Sequence, residues 1–372
     1  MPPLSDGTLP LPTALVVVGF SAVPAWFTYR TVERPLHQSR ALAAKPWRAG
    51  LVGVVCVLIG LGSAAVVYGS VAGTRSAATP AQMLGAVALG ADPTTSAAGI
   101  PVDSVDSITP APVDAGADNA DVYADGCHQD QVGSQALSCV YGDKSSSTVI
   151  ALVGDSHAAQ WQPSLRVLAE KNGWRLETYT KSSCLFADVG VWLPDVDRPY
   201  PSCKAWTAGV VAKLTQEKPD VVVVSTTGTY SLVQDGKPVP REQSFDGLVS
   251  GLTRTWDALG AAGSAVTVLV DTPWPGIDMP ECVAKNLHSL TKCAVPRTKA
   301  VARSGAALQR AAAARVPGAR VVDLTDYVCP RETCAPVIGG VLVFRDTHHL
   351  TRTYARSLAP LLEPGIRDSL VQ

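Results

Sequence analysis

From residue 123 onward the sequence predicts an α/β domain, a doubly wound parallel sheet covered by helices on both faces. Before it, the sequence predicts a two-helix transmembrane hairpin. Three observations carry this. Strand-length apolar runs alternate with helix-length amphipathic segments from Thr148 to Glu363, the pattern of an α/β/α sandwich. The runs are unbroken, as in Val221-Val222-Val223-Val224, which a strand buried on both faces requires. Two stretches, 7–29 and 49–74, carry no charge, and Arg30, Arg34, Arg40, Lys45 and Arg48 lie between them.

Each uncharged stretch exceeds the roughly 20 residues that a membrane helix needs. The basic loop belongs in the cytoplasm, which places the N-terminus and the long C-terminal part outside. A cleaved signal peptide fits poorly, because residues 1–29 hold no Lys or Arg ahead of the apolar run. The expected organisation is a hairpin over 1–75, a linker over 76–122 and an extracytoplasmic domain over 123–372, in a multi-pass protein of the cytoplasmic membrane. The linker is Ala, Thr, Ser, Pro, Asp and Gly with scarcely an aromatic, too little apolar bulk to offset chain entropy. No regular structure is expected there, although part of it can lie against the domain. Strands are expected at 148–153, 176–180, 220–225, 265–271 and 320–324. Helices are expected near 158–171, 204–217, 243–261, 297–315 and 351–363.

One of the nine cysteines, Cys56, falls in the second apolar stretch. The other eight group by closeness as Cys127 with Cys139, Cys184 with Cys203, Cys282 with Cys293 and Cys329 with Cys334. Eight cysteines allow about 105 pairings; short loops close most readily, and an even count in an exported domain favours disulfides over thiols. No pair has the C-x2-C spacing with a matching partner that a zinc site uses, so no metal is expected. A formal net charge of −1 and the absence of a basic cluster interleaved with aromatics give no support to nucleic acid as a partner.

The chemistry concentrates in two short phrases. Val153-Gly154-Asp155-Ser156-His157-Ala158 ends the first apolar run of the domain, and Asp346-Thr347-His348-His349-Leu350 stands just before the last helix. Active residues of doubly wound sheets gather at the carboxyl ends of strands. Gly154 lets the chain turn after the strand, leaving the Ser156 hydroxyl at the start of a helix. An Asp three residues before a His supplies an orienter and a base for such a hydroxyl. Ser156 is therefore the candidate nucleophile, His349 the base and Asp346 the orienter. A capping Ser with no chemistry is the competing reading of Asp155-Ser156. His348 competes with His349 for the base role, and His157 reads as structural or substrate-facing. Asp155-Ser156-His157 also matches the Asp-x-His opening of two-metal phosphoesterases. Those enzymes need Asn-His and Gly-His-x-His ligand pairs, and neither occurs here.

The two phrases resemble the first and last blocks of the SGNH/GDSL hydrolase superfamily. More closely, the chain is similar to the extracytoplasmic SGNH domain at the C-terminus of acyltransferase family 3 membrane proteins. Val32-Glu33-Arg34-Pro35-Leu36 resembles the Glu-x-Pro loop of their last membrane pair. Asp125-Gly126-Cys127, Lys181-Ser182-Ser183-Cys184, Asp271-Thr272-Pro273 and Cys329-Pro330…Cys334-Ala335-Pro336-Val337 fit as well. The wider superfamily places an oxyanion-hole Asn after the third strand. Here that segment is Ser225-Thr226-Thr227-Gly228-Thr229-Tyr230, without Asn. The hole is then expected from the Ser156 backbone N–H, with Thr226 and Gly228 or the Cys184 loop as the other candidates. The resemblance implies an O-acyltransferase moving an acyl group, acetyl foremost, through Ser156 onto a hydroxyl of a cell-envelope glycan or glycolipid. The donor, traceable to acetyl-CoA, would arrive through membrane helices that precede this segment in such proteins, so no soluble cofactor is expected. An exported esterase using water, and an inactive glycan-binding domain, are the alternatives.

Overall fold

The computed structural model describes residues 11–39, 45–72, 83–193 and 196–371. Arg40, Arg75 and residues 76–82 of the expected linker lie outside them. The chain divides into two compact units, Met1–Ala72 and Gly73–Gln372.

The first unit holds two helices, Leu11–Thr28 and Pro46–Ala72. The first does not stop where the basic loop was expected to begin. It runs on through a π turn, Tyr29–Glu33, to Arg34–His37. Pro24 lies inside it and deprives one turn of its N–H. Among the described residues no helix is long and apolar enough to cross a membrane, so the expected hairpin is not shown. Large apolar side chains are nonetheless exposed on both helices, Phe20 at 80% and Ile59 at 64% among them.

The second unit is built on a seven-stranded sheet. Its strands are β1 (His128–Gln129), β2 (Cys139–Gly142), β3 (Val149–Gly154), β4 (Arg175–Lys181), β5 (Val221–Ser225), β6 (Ala265–Leu269) and β7 (Arg320–Val322). The order is β1-β4-β3-β5-β6-β7, parallel throughout. β2 alone is antiparallel and shares with β1 the outer edge of β4. Strand β3 sits centrally, and the chain passes to β4 on one side and to β5 on the other. The crevice where the winding reverses opens at the carboxyl ends of β3 and β5.

The helices that carry the two faces are α1 (Ser156–Ala159), α2 (Gln162–Asn172), α3 (Pro201–Glu217), α4 (Arg241–Ala261), α5 (Ala306–Ala313), α6 (Arg352–Ser357) and α7 (Ala359–Leu370). Strand side chains alternate between two cores, as a period of two demands. Ile150, Leu152, Val221 and Val223 join Leu165, Leu168, Leu362 and Ile366 on one face. Ala151, Val153, Val222 and Val224 join Trp206, Val210, Leu252 and Trp256 on the other. This is the α/β/α layering expected of the domain. Three expected helices are interrupted: 158–171 at Gln160–Trp161, 297–315 at Ser304–Gly305, and 351–363 at Leu358, from which the last one continues to Leu370.

Residues 83–122 differ from the expected linker. They form 3-10 turns at Gly85–Leu89, Ala97–Gly99 and Pro112–Ala117 and a helical turn at Asp121–Ala124. Ala86, Leu89, Ala115, Ala120 and Val122 are buried in the first core. Small side chains are what this packing uses. Gly339 allows such an approach, since a Cβ there would meet the Gly85 carbonyl at 2.5 Å. Four disulfides close Cys127–Cys139, Cys184–Cys203, Cys282–Cys293 and Cys329–Cys334, and Cys56 is free.

Candidate active site

Strand β3 delivers the site. Gly154 has φ +148, and a Cβ on it would lie 2.1 Å from the carbonyl of Ser225 on β5. No other residue fits that turn. Asp155 then caps α1, accepting from the His157 amide at 2.8 Å. Its other oxygen accepts from the Thr226 hydroxyl (2.7 Å), the Thr227 amide (2.9 Å) and the Tyr230 hydroxyl (2.6 Å). Asp155 is fully buried, and this set of donors replaces the water it has lost. It welds the end of β3 to the segment after β5.

Ser156 follows, half-buried. Its hydroxyl is 2.8 Å from Nε2 of His349, whose Nδ1 is 2.8 Å from a carboxylate oxygen of Asp346. The other Asp346 oxygen accepts from the amides of His348 (2.9 Å) and His349 (2.7 Å), which fixes the turn before α6. Gln160 ties the turn down, accepting from the Leu350 amide at 2.9 Å and donating to the Thr272 hydroxyl at 3.1 Å. The structure therefore brings together all three residues that the sequence singled out from positions 156, 346 and 349.

The charges are ordered accordingly. Burial opposes ionisation of Asp346. The hydrogen bond from His349 and the charges of His349 and Arg345 outweigh it, holding this carboxyl well below the usual range. Burial is the largest influence on His349 and lowers its pKa; Asp346 raises it, and the nearby His157 and Arg345 lower it further. A neutral imidazole beside an ionised carboxylate is the state this arrangement favours. With Asp346 accepting from Nδ1–H, Nε2 is left as a lone pair facing the Ser156 hydroxyl, the arrangement for deprotonating it.

His157 turns away from Ser156. Its Nδ1 lies 2.5 Å from Asp271 and its Nε2 2.8 Å from Nδ1 of His348. The rings of His157 and His348 stack 5.0 Å apart, nearly parallel at 6°. Asp271 also accepts from the Gly305 amide at 2.7 Å. Burial disfavours the charged form of His157, but the Asp271 carboxylate and its hydrogen bond prevail and raise its pKa. A second Asp–His line thus runs beside the first and ends at His348. The sequence signals for it were present in Asp271-Thr272-Pro273 and in the doubled His348-His349, but nothing in the spacing joins positions 157, 271 and 348.

Two of the expected oxyanion candidates have neighbours of their own. The Thr226 hydroxyl is spent on Asp155. Gly228 packs on Ser304 and Gly305, where a Cβ would come within 2.8 Å of a carbonyl, and its own carbonyl accepts from Arg241 at 2.6 Å. The expected helix behind Ser156 is the four-residue α1, too short to add much dipole. For a metal, one nitrogen each of His157, His348 and His349 lie within 4.8 Å of one another. Both nitrogens of His157 and of His349 already have partners. A metal held by all three would have to break the Ser156 contact or the Asp346 contact, and the donor set does not suit one.

Residues 126–364 match the family described as SGNH domain (fused to AT3 domains). The chain belongs to this family. No curated protein matches the chain. Among solved structures it is similar to the periplasmic domain of the lipopolysaccharide acetyltransferase of Salmonella ser. Paratyphi A. The TM-score is 0.47 and the identity 16%, over 60% of this chain and 85% of that one.

Proposed function

We propose that this SGNH-domain protein is an O-acyltransferase acting outside the cytoplasmic membrane, with Ser156 as nucleophile. The observation that carries the reading is the unbroken line Asp346–His349–Ser156, two contacts of 2.8 Å at the winding reversal of the sheet. In the first half-reaction the Ser156 oxygen bonds to the acyl carbon while its proton passes to Nε2 of His349. The donor's leaving group departs with that proton. In the second, an acceptor hydroxyl loses its proton to His349 and bonds to the acyl carbon. The Ser156–acyl bond then breaks, and Oγ takes the proton back. Asp346 holds the imidazole in position throughout and offsets its transient charge. The Ser156 backbone N–H is the proposed oxyanion donor.

Fusion to AT3 domains in this family supports transfer, acetyl being the proposed group and a hydroxyl of a cell-envelope glycan or glycolipid the proposed acceptor. The acyl donor would come from acetyl-CoA through membrane acyltransferase helices, in the same polypeptide or another. Four disulfides support an extracytoplasmic site. Residues 7–29 and 49–74, with the basic loop between them, are the proposed tether.

The test uses the full chain with p-nitrophenyl acetate, with and without an oligosaccharide acceptor, and mass spectrometry of the Ser156 peptide. An acetylated Ser156 whose turnover rises with glycan is expected. Replacement of Ser156 by Ala should lower turnover by about 10³-fold or more. Turnover indifferent to glycan would make the protein an esterase. A folded chain that binds glycan but forms no adduct would make it a binding module.

A further inference from the structure

Three histidines meet beside Ser156, and five of their six ring nitrogens have partners. The exception among the described residues is Nε2 of His348. His348 is half-buried, with its ring 4.3 Å from that of Trp274 and 4.0 Å from that of His349. Trp274 and Thr347 line a cleft of about 430 Å³, together with Thr229, Gly276, Arg241 and Arg303. Arg241 is anchored on the Gly228 carbonyl and Arg303 on the Pro275 carbonyl, each at 2.6 Å. Neither forms an ion pair with an acid among the described residues. A guanidinium has five N–H donors, so each keeps donors and a full charge for something else. Two guanidiniums without an acid partner and one indole lining the same cleft, next to His348, suit a ring that is both stackable and anionic.

We propose that this cleft is the acceptor subsite and that it takes an acidic sugar. The anionic group lies between Arg241 and Arg303, the sugar ring against Trp274, and the reacting hydroxyl at Nε2 of His348. The inference rests on the Ser156 reading and names its substrate class. When His157, held 2.5 Å from the Asp271 carboxylate, carries a proton on both nitrogens, its Nε2 donates and Nδ1 of His348 accepts. That tautomer leaves Nε2–H of His348 as a donor. The acceptor oxygen then receives a hydrogen bond from His348 while its own proton goes to His349. Its remaining lone pair forms the bond to the acyl carbon as the bond to Ser156 breaks. His348 is the catalytic residue of this step, and His157 and Asp271 are positioning residues.

The test compares one oligosaccharide containing glucuronate with its carboxyl-reduced, neutral counterpart. Binding is measured by calorimetry on the full chain carrying Ser156→Ala, which does not depend on turnover. Transfer is measured on the otherwise unaltered chain. The acidic form is expected to bind about tenfold or more tightly and to show a correspondingly lower KM. Arg241→Ala and Arg303→Ala should each reduce that acid-to-neutral ratio several-fold, and both together should bring it near one. His348→Ala should lower the kcat of transfer at saturating acceptor, and His348→Gln, which keeps a donor, should restore part of it. Equal binding of the two oligosaccharides, or a preference untouched by both arginine changes, would overturn the inference. A failure of Ser156 acylation with the acid preference intact would instead remove the transferase reading and leave the subsite standing.

Discussion

His349 lies between a carboxylate and a hydroxyl, and only its neutral form can take the Ser156 proton. Burial, the largest influence on it, sets its pKa below the ordinary 6.5 of histidine. The kcat/KM for p-nitrophenyl acetate should therefore rise with pH through a midpoint below 6.5 and stay flat above it, as a profile from pH 4.5 to 8 would show. A midpoint near 7.5 would mean that another group is the base. The neighbouring Asp155 carries a different burden. Asp155→Ala would strand the buried donors of Thr226 and Tyr230, each costing about 1–3 kcal/mol. Denaturant unfolding should register a loss of about 3 kcal/mol, whereas Ser156→Ala should leave stability within about 1 kcal/mol. The line from Ser156 through His349 to Asp346 was legible because a hydroxyl, an imidazole and a carboxylate in that order are few in this sequence and a short turn sets the Asp–His spacing. Asp155 as a buried weld, and the line from Asp271 to His348, were not legible, because contacts across 71 and 114 residues leave no local trace.

The five principal strands lie close to where the sequence placed them, most sharply at Val149–Gly154 and Val221–Ser225, whose burial on both faces leaves no polar side to obscure the pattern. Helices of the domain were less well delimited. The break at Ser304–Gly305 follows from Gly305 donating to Asp271 and pressing on the Thr226 carbonyl, a tertiary demand that Ala-rich sequence on either side does not announce. The small four-stranded sheet at 191–238 uses strands of two to four residues, too short for any periodicity. At the end of β3 the element and the site cannot be separated. Gly154→Ala would push a methyl into the Ser225 carbonyl and part β3 from β5. A drop in thermal midpoint accompanied by loss of Ser156 acylation is the expected result. Retention of both would show that the strand end can shift at little cost.

At the scale of the whole molecule, residues 83–122 act as a fitted part of the domain. The Leu84 and Gly85 amides bond to the Gly339 carbonyl, the Ala86 amide to the Ser357 hydroxyl, and Thr109 exchanges bonds with Gly340 and Leu342. A chain that begins at residue 123 should therefore be less stable than one that begins at 83. Losing the burial of Leu89, Ile108 and Val122, and uncovering the core they pack against, should cost several kcal/mol. Urea unfolding of the two lengths would measure the difference, and coincident midpoints would return 83–122 to the status of a linker. The same closure bears on biosynthesis. Ser156 and His349 are separated by 193 positions, which at 5–20 residues per second is about 10 to 40 s of translation. Throughout that interval Ser156 has been made and His349 has not. On the proposed reading the nascent chain carries an unactivated hydroxyl at Ser156, which meets its imidazole only when the last helices have folded back.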